Sequence, residues 1–362
     1  MSEKENKGLS TESYKGVRDF YPEDMAVQNY IYGVWREVAE KAGYHEYSAS
    51  ILEPAELYRQ KSGDEIVNDQ MYTFKDKGDR EVALRPEMTP TLARMVAGKR
   101  KSLKFPLRWY SIPNLFRYER SQRGRRREHW QLNCDLIGVA DIEGDIEIIK
   151  LAYAVMKAFG AKDENFVIRI GNRKIPNEIG KKVFQLDDES ARRLLKIQDQ
   201  KEKLEEKIYI DLVRKVFEDK FKSEERWIRQ TLGKTWEDEA DRFISLMNTK
   251  KIDELLSQLP QDETVSLTIL ETIELLKSLK AVDIKNAVFN QNLVRGFDYY
   301  TGVVFEVFDT NPENRRSLFG GGRYDNLLEM FGVEPVPAVG FGMGDVTIKD
   351  FLETHKLPLS KP

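Results

Sequence analysis

Between Lys181 and Leu259 the chain carries one glycine, Gly233, and no proline. Lys, Glu, Leu and Ile dominate this stretch. So long a run without residues that break helices or form turns reads as a helical block with charged outer faces. On either side the pattern changes to short apolar runs punctuated by Gly and Pro, which reads as strands. The chain must therefore fold as strands and helices, then a helical unit, then strands again. We read 14–160 as the first part of a core, 161–285 as the helical insertion and 286–355 as the second part of the core. A length of 362 residues suits about two domains or three. Without regular βα alternation, a doubly wound parallel sheet is disfavoured. An α+β fold is expected instead, with an antiparallel sheet of about six strands flanked by helices.

Local patterns fill in this frame. Val27, Ile31, Val34, Trp35, Val38 and Ala39 recur at helical spacing over 25–42, and Gly43 ends the helix. Residues 44–53 read as one strand ending at Pro54. MYTFKD (71–76) and EVALRP (81–86) read as a hairpin. RWYSIPNLFRYE (108–119) and HWQLNCDLIG (129–138) read as two strands joined by the polar loop SQRGRRRE. Strand patterns return at 292–308, followed by the glycine run FGGGRYD (319–325) and a strand–helix unit over 337–355.

Charge and composition narrow the function. With 58 Lys+Arg against 61 Asp+Glu, the net charge of −3 excludes a chain-wide polycation on nucleic acid but leaves room for a local basic patch. The single cysteine, Cys134, cannot form an internal disulfide, which suits a reducing compartment. No apolar leader and no run of 18 apolar residues is present, so a cytoplasmic protein with no membrane span is expected. Three histidines and one cysteine argue against a zinc site, and we expect no protein-held metal. Neither a Walker-type nor a Rossmann-type glycine loop occurs.

Three segments carry chemistry. RYERSQRGRRR (117–127) holds six arginines: Arg117, Arg120, Arg123, Arg125, Arg126 and Arg127. It is either a solvated hairpin loop or a phosphate-binding one, since a guanidinium fits phosphate oxygens in bidentate fashion. In ALRPEMTPTLAR (83–94), Thr89 is expected to cap a helix with Pro90 at its first position, leaving Glu87 to bind an amine. In LVRGFDYYTGVVFEVF (293–308), Arg295, Asp298, Tyr299 and Tyr300 interrupt an apolar strand. Arg295 and Asp298 form either a structural ion pair or part of a site. Cys134 lies in a strand pattern and reads as buried rather than reactive.

Taken together, KGVRDFYPEDM (15–25), LRPEMTP (84–90), LFRYERSQRGRRREHWQLNCDLIG (115–138), LVRGFDYYTGVVFEVF and GGGRYD resemble the histidyl-tRNA synthetases, a family of class II aminoacyl-tRNA synthetases. The resemblance covers nearly all of 14–345. It implies the antiparallel class II sheet, with the helical block as the family's insertion domain. It also implies ATP-dependent activation of L-histidine to histidyl-adenylate, then transfer to tRNA(His), with Mg²⁺ accompanying ATP. Carried over residue by residue, it places Arg117 on the α-phosphate, Arg125 on the outer phosphates and His129 against adenine. Glu87, Thr89 and Gln131 would hold the substrate α-amino group. Asp135 and Tyr300 would hold the imidazole nitrogens, with Tyr299 beside them. Arg295 would bridge the substrate carboxylate and the α-phosphate. The first class II motif, 15–54, implies a homodimer.

Two departures from the family pattern stand out. Thr347 falls where the third class II motif normally has a phosphate-clamping arginine. The chain also stops at KLPLSKP, where the family continues into an anticodon-binding domain, so that domain is expected to be absent. A rival reading is a non-catalytic paralogue resembling the regulatory subunit of ATP phosphoribosyltransferase. A third is a non-enzymatic RNA-binding module built on the arginine hairpin, which leaves Arg295, Asp298 and Tyr300 unexplained.

Overall fold

The computed structural model describes residues 9–60, 66–120, 122–221, 235–260, 262–293, 299–314 and 316–360. Its centre is a mostly antiparallel sheet of nine strands, larger than the six or so expected. The strands are β1 (His45–Glu46), β5 (Leu107–Ser111), β6 (Asn114–Phe116), β7 (Glu128–Ile137), β8 (Phe166–Asn172), β9 (Ala287–Phe289), β10 (Val303–Asp309), β11 (Ser317–Arg323) and β12 (Ala338–Gly344). Their order is β1-β5-β7-β12-β11-β10-β8-β9, with β6 also on β7. The two edge pairs, β1–β5 and β8–β9, are parallel. A smaller sheet joins β2 (Leu52–Pro54), β4 (Glu81–Leu84) and β3 (Tyr72–Lys75), in that order.

Several expected elements divide in ways that physics explains. Residues 44–53 form two short strands, β1 and β2, which serve different sheets. The stretch 108–119 breaks at Pro113, which has no N–H to give a ladder. β5 and β6 then pair with successive halves of the long β7. FVIRIGN, inside 161–285, is β8 and lies in the central sheet between β10 and β9.

One face of the sheet carries the main core. Leu132, Cys134 and Leu136 of β7 and Val339, Phe341 and Met343 of β12 pack there. The helices Pro22–Lys41, Ile142–Ala158 and Asp345–Thr354 cover them with Ile31, Trp35, Ile149, Val155, Ile348 and Phe351. Cys134 is fully buried and its thiol is pushed well up by that burial, so it is inert. The helical block has a separate apolar cluster that includes Ile179, Val213, Phe217, Phe243, Met247 and Leu255. The helix Glu263–Ala281 serves both, with Val265 and Ile269 in the block and Leu275 and Leu279 in the main core. The N-terminal segment is tied in by Asp345, which accepts Arg18 Nη2 at 2.7 Å, Gln28 Nε2 at 2.9 Å and the Trp130 amide at 2.9 Å.

Candidate active site

The opposite face of the sheet holds a cleft, and strand alternation builds it. On β7 the residues His129, Gln131, Asn133 and Asp135 alternate with the core residues Leu132, Cys134 and Leu136. Across the ladder, β12 presents Gly340 opposite Asp135 and Gly342 opposite Asn133. Gly340 is required by space, and a side chain at Gly342 would displace Gln131. A Cβ on Gly340 would lie 2.2 Å from Asp135 Oδ1, and one on Gly342 would lie 2.7 Å from the Gln131 carboxamide. The floor is therefore bare backbone, over which polar side chains can lie flat.

Glu87, Thr89, Arg117, Gln131, Asp135, Tyr299 and Tyr300 all line this one cleft, with Asn133 and Tyr324. The connection from β4 that delivers Glu87 is pinned by the buried Arg85. Its guanidinium donates to the Ala49 carbonyl at 2.8 Å, the Asn114 carbonyl at 2.9 Å and Asn114 Oδ1 at 3.1 Å. Glu87 is itself buried and accepts the Tyr299 hydroxyl at 3.0 Å. The helix that follows begins at Thr89, with Met88 in the cap position and no side-chain capping bond. This corrects the expected Thr89 cap: Thr89 is already the first helical residue and lines the cleft instead. Arg117 donates Nε to the Pro86 carbonyl at 2.9 Å, so the arginine is fixed beside Glu87.

At the far end, the buried Asp135 accepts a hydrogen bond from the Tyr324 hydroxyl. Burial pushes the Asp135 carboxyl up to about 7, against the Tyr324 bond, which lowers it. Tyr299 and Tyr300 sit with ring centroids 4.9 Å apart, and Tyr324 meets Tyr299 edge-on at 5.8 Å. Such a pocket fits a planar group with two polar edges between aromatic rings.

His129 and Arg125 are not among the residues lining the cleft. His129 continues the same face of β7 beyond Gln131, and burial, reinforced by Arg117 and Arg18, pulls its imidazole down to about 3. It is thus neutral at working pH. Arg125 lies on the hairpin, half-exposed, with its Nε 3.2 Å from Glu119. Arg295 and Asp298 lie outside the described residues. Thr347 sits in the first turn of the last helix, its hydroxyl donating to the Leu318 carbonyl at 2.6 Å. Asn133 and Tyr324 were missed from sequence. Tyr324 belongs to the GGGRYD run, whose glycines alone had drawn attention.

Comparison with known proteins decides the family. The family model described as Histidyl-tRNA synthetase matches residues 16–345. The chain belongs to this family. A relative from Leptospira biflexa, named histidine--tRNA ligase, is 43% identical over 98% of this chain and 76% of its own length. A solved structure from Bacillus halodurans, described as an ATP phosphoribosyltransferase regulatory subunit/histidyl-tRNA synthetase, superimposes with a TM-score of 0.78. It is 26% identical, with 95% of this chain and 83% of that one covered. A histidyl-tRNA synthetase from Nostoc sp. PCC 7120 shares the fold at a TM-score of 0.77 and 21% identity, over 98% of this chain and 78% of that one. The antiparallel sheet flanked by helices is thus the class II synthetase fold.

Proposed function

We infer that the chain is a histidine–tRNA ligase. It activates L-histidine with ATP, giving histidyl-adenylate and pyrophosphate, and transfers the histidyl group to tRNA(His). The observation that carries the site assignment is the convergence of Glu87, Arg117, Gln131, Asp135 and Tyr300 on one glycine-floored cleft. The regulatory-paralogue reading shares its name with one similar structure. It gives no reason for a buried carboxylate at each end of the same cleft.

The first step needs no protein nucleophile. An oxygen of the histidine carboxylate forms a bond to the α-phosphorus as the bond to pyrophosphate breaks. The protein aligns the two and neutralises charge. In our assignment Arg117 meets the α-phosphate, and Glu87, Thr89 and Gln131 hold the α-amino group. The Tyr299 hydroxyl on Glu87 fixes the direction of that carboxylate. Asp135 and Tyr300 take the two imidazole nitrogens, with Tyr324 orienting Asp135. Arg125 reaches the outer phosphates, His129 lies at the base, and Arg295 bridges carboxylate and α-phosphate. Among the described residues no cluster of three or more His, Cys, Asp or Glu could hold a metal ion. Mg²⁺ would accompany the ATP phosphates, where it offsets their charge.

We further propose a homodimer. The apolar stripe of the helix Pro22–Lys41 is used internally, since Ile31, Val34 and Trp35 are buried in the chain's own core. The small sheet instead turns Leu52, Pro54, Tyr72, Phe74, Val82 and Leu84 to one face, with Leu52 and Phe74 exposed. A second copy would cover it, and a monomer in sedimentation at micromolar concentration would refute this. The two apolar clusters support a catalytic core and a separate helical domain, but with a shifted boundary: within the expected helical domain 161–285, β8 and the Leu275 and Leu279 end of the helix Glu263–Ala281 belong to the core with 14–160 and 286–355. Among the described residues no helix is long and apolar enough to cross a membrane, and we place the protein in the cytoplasm. Histidine-dependent ATP–pyrophosphate exchange tests the function. Exchange with histidine alone among amino acids is expected, and a folded chain without it would reject the assignment.

A further inference from the structure

The base of the arginine hairpin belongs to the cleft wall, because the Arg117 amide donates to the Arg127 carbonyl at 2.9 Å. Its tip is held by different parts of the molecule. Arg123 Nη2 donates to Thr354 Oγ1 at 3.1 Å, and Arg123 Nε lies 4.0 Å from Asp350. Asp350 also faces the Gly124 amide and feels the charge of Arg126. From the turn before β11, Arg316 Nη2 donates to Gln122 Oε1 at 3.0 Å. Gly124 has φ +76°, and its missing Cβ would stand 3.6 Å from Thr347 Cγ2. Three consecutive residues, 122–124, are thus gripped by the last helix and by one turn.

These contacts are weak as stabilisers. The Arg123–Asp350 pair is long, and the Arg123 side chain is 54% exposed. Their consequence is positional. The turn is closed by its own Gln122–Arg125 backbone bonds, but several arginines in it repel one another, and a fixed counter-charge is needed to hold it at one place against the body of the protein. Asp350 is a quarter exposed, sits on a helix whose other face is buried in the core, and cannot move far. It faces Arg123 and lies within electrostatic reach of Arg126.

We propose that Asp350 is a positioning residue for adenylate formation: it docks the 122–124 turn on the last helix and so holds Arg125 and Arg126 ready for the ATP phosphates. This rests on reading the hairpin as a phosphate-binding arm. Without the dock, only a fraction of molecules present the arm correctly, and ATP affinity falls by that fraction.

The test is pyrophosphate exchange with Asp350→Ala and Asp350→Glu, beside melting curves of the same samples. In Asp350→Ala the KM for ATP should rise about five- to twentyfold. The KM for histidine should stay within about twofold, and the melting temperature within about 2 °C, since the ion pair is long and its arginine is half-exposed. Asp350→Glu should recover most of the ATP affinity. An unchanged KM for ATP in Asp350→Ala would overturn the proposal. So would a rise in both KM values together with a large fall in melting temperature, which would make Asp350 merely structural. A wild-type chain with no exchange would remove the underlying reading as well.

Discussion

The cleft and the arginine hairpin share the β7 ladder but handle charge in opposite ways. In the cleft, Glu87 and Asp135 are buried, each accepts a tyrosine hydroxyl, and the floor is glycine. Removal of water raises the Asp135 carboxyl, so its interactions depend strongly on geometry. On the hairpin, Arg123 and Arg125 stay half-exposed and their carboxylate partners are simple contacts. Interactions there are screened by salt and tolerate displacement. Recognition of a small substrate suits the dry cleft, and capture of polyanions suits the wet hairpin.

Arg117 stands where the two regions meet and should show the largest effect. Arg117→Lys retains a charge but loses the planar fork, and it releases the Pro86 carbonyl. Exchange turnover should fall about 10²–10³-fold. A loss under tenfold with an unchanged melting temperature would remove Arg117 from the chemistry. The next effect sharpens the cleft side. Asp135 is protonated below its value of about 7 and ionised above it, so histidine should bind better as pH rises through that value. Tyr324→Phe deletes the bond that lowers this value, so the inflection in the histidine KM should move to higher pH. Titration of free histidine cannot produce such a shift, and an unmoved inflection would deny Asp135 the role. The smallest effect belongs to the hairpin. Arg125→Gln or Arg126→Gln should each reduce the salt slope of tRNA binding by about 0.8, the share of one phosphate contact. An unaltered slope would mean that neither touches RNA phosphate.

Much of this architecture was legible because strong local signals agreed with the global fold. The helix over 22–41, the β3–β4 hairpin and the last strand–helix unit follow directly from apolar periodicity and turn residues. The seven cleft residues named from sequence lie together because three motifs supply neighbouring or alternating positions at Glu87 and Thr89, at Arg117 just after β6 and at Gln131 and Asp135 on β7, and at Tyr299 and Tyr300 before β10. What stayed hidden depended on pairing across long distances. The two-residue strand β1 exists only because β5 offers it an edge. β8 lies where the surrounding charged helices dominate any window of composition. Tyr324 gains its meaning from Asp135, which is far away in sequence and adjacent only through β12. Thr89 was misread because a hydroxyl before an apolar helix looks like a cap, whereas here the cleft takes it.

The division between dry recognition and wet charge capture is tested most directly by steady-state exchange with Asp135→Asn and Arg125→Gln, with both KM values measured for each. Asp135→Asn should raise the KM for histidine at least about tenfold, because a charged hydrogen bond in a buried site is lost, and leave the KM for ATP within about threefold. Arg125→Gln should do the reverse, with a rise of about three- to tenfold for ATP only, as befits a screened contact. If both variants shift both constants in parallel, the cleft and the hairpin act as one unit and the account is wrong.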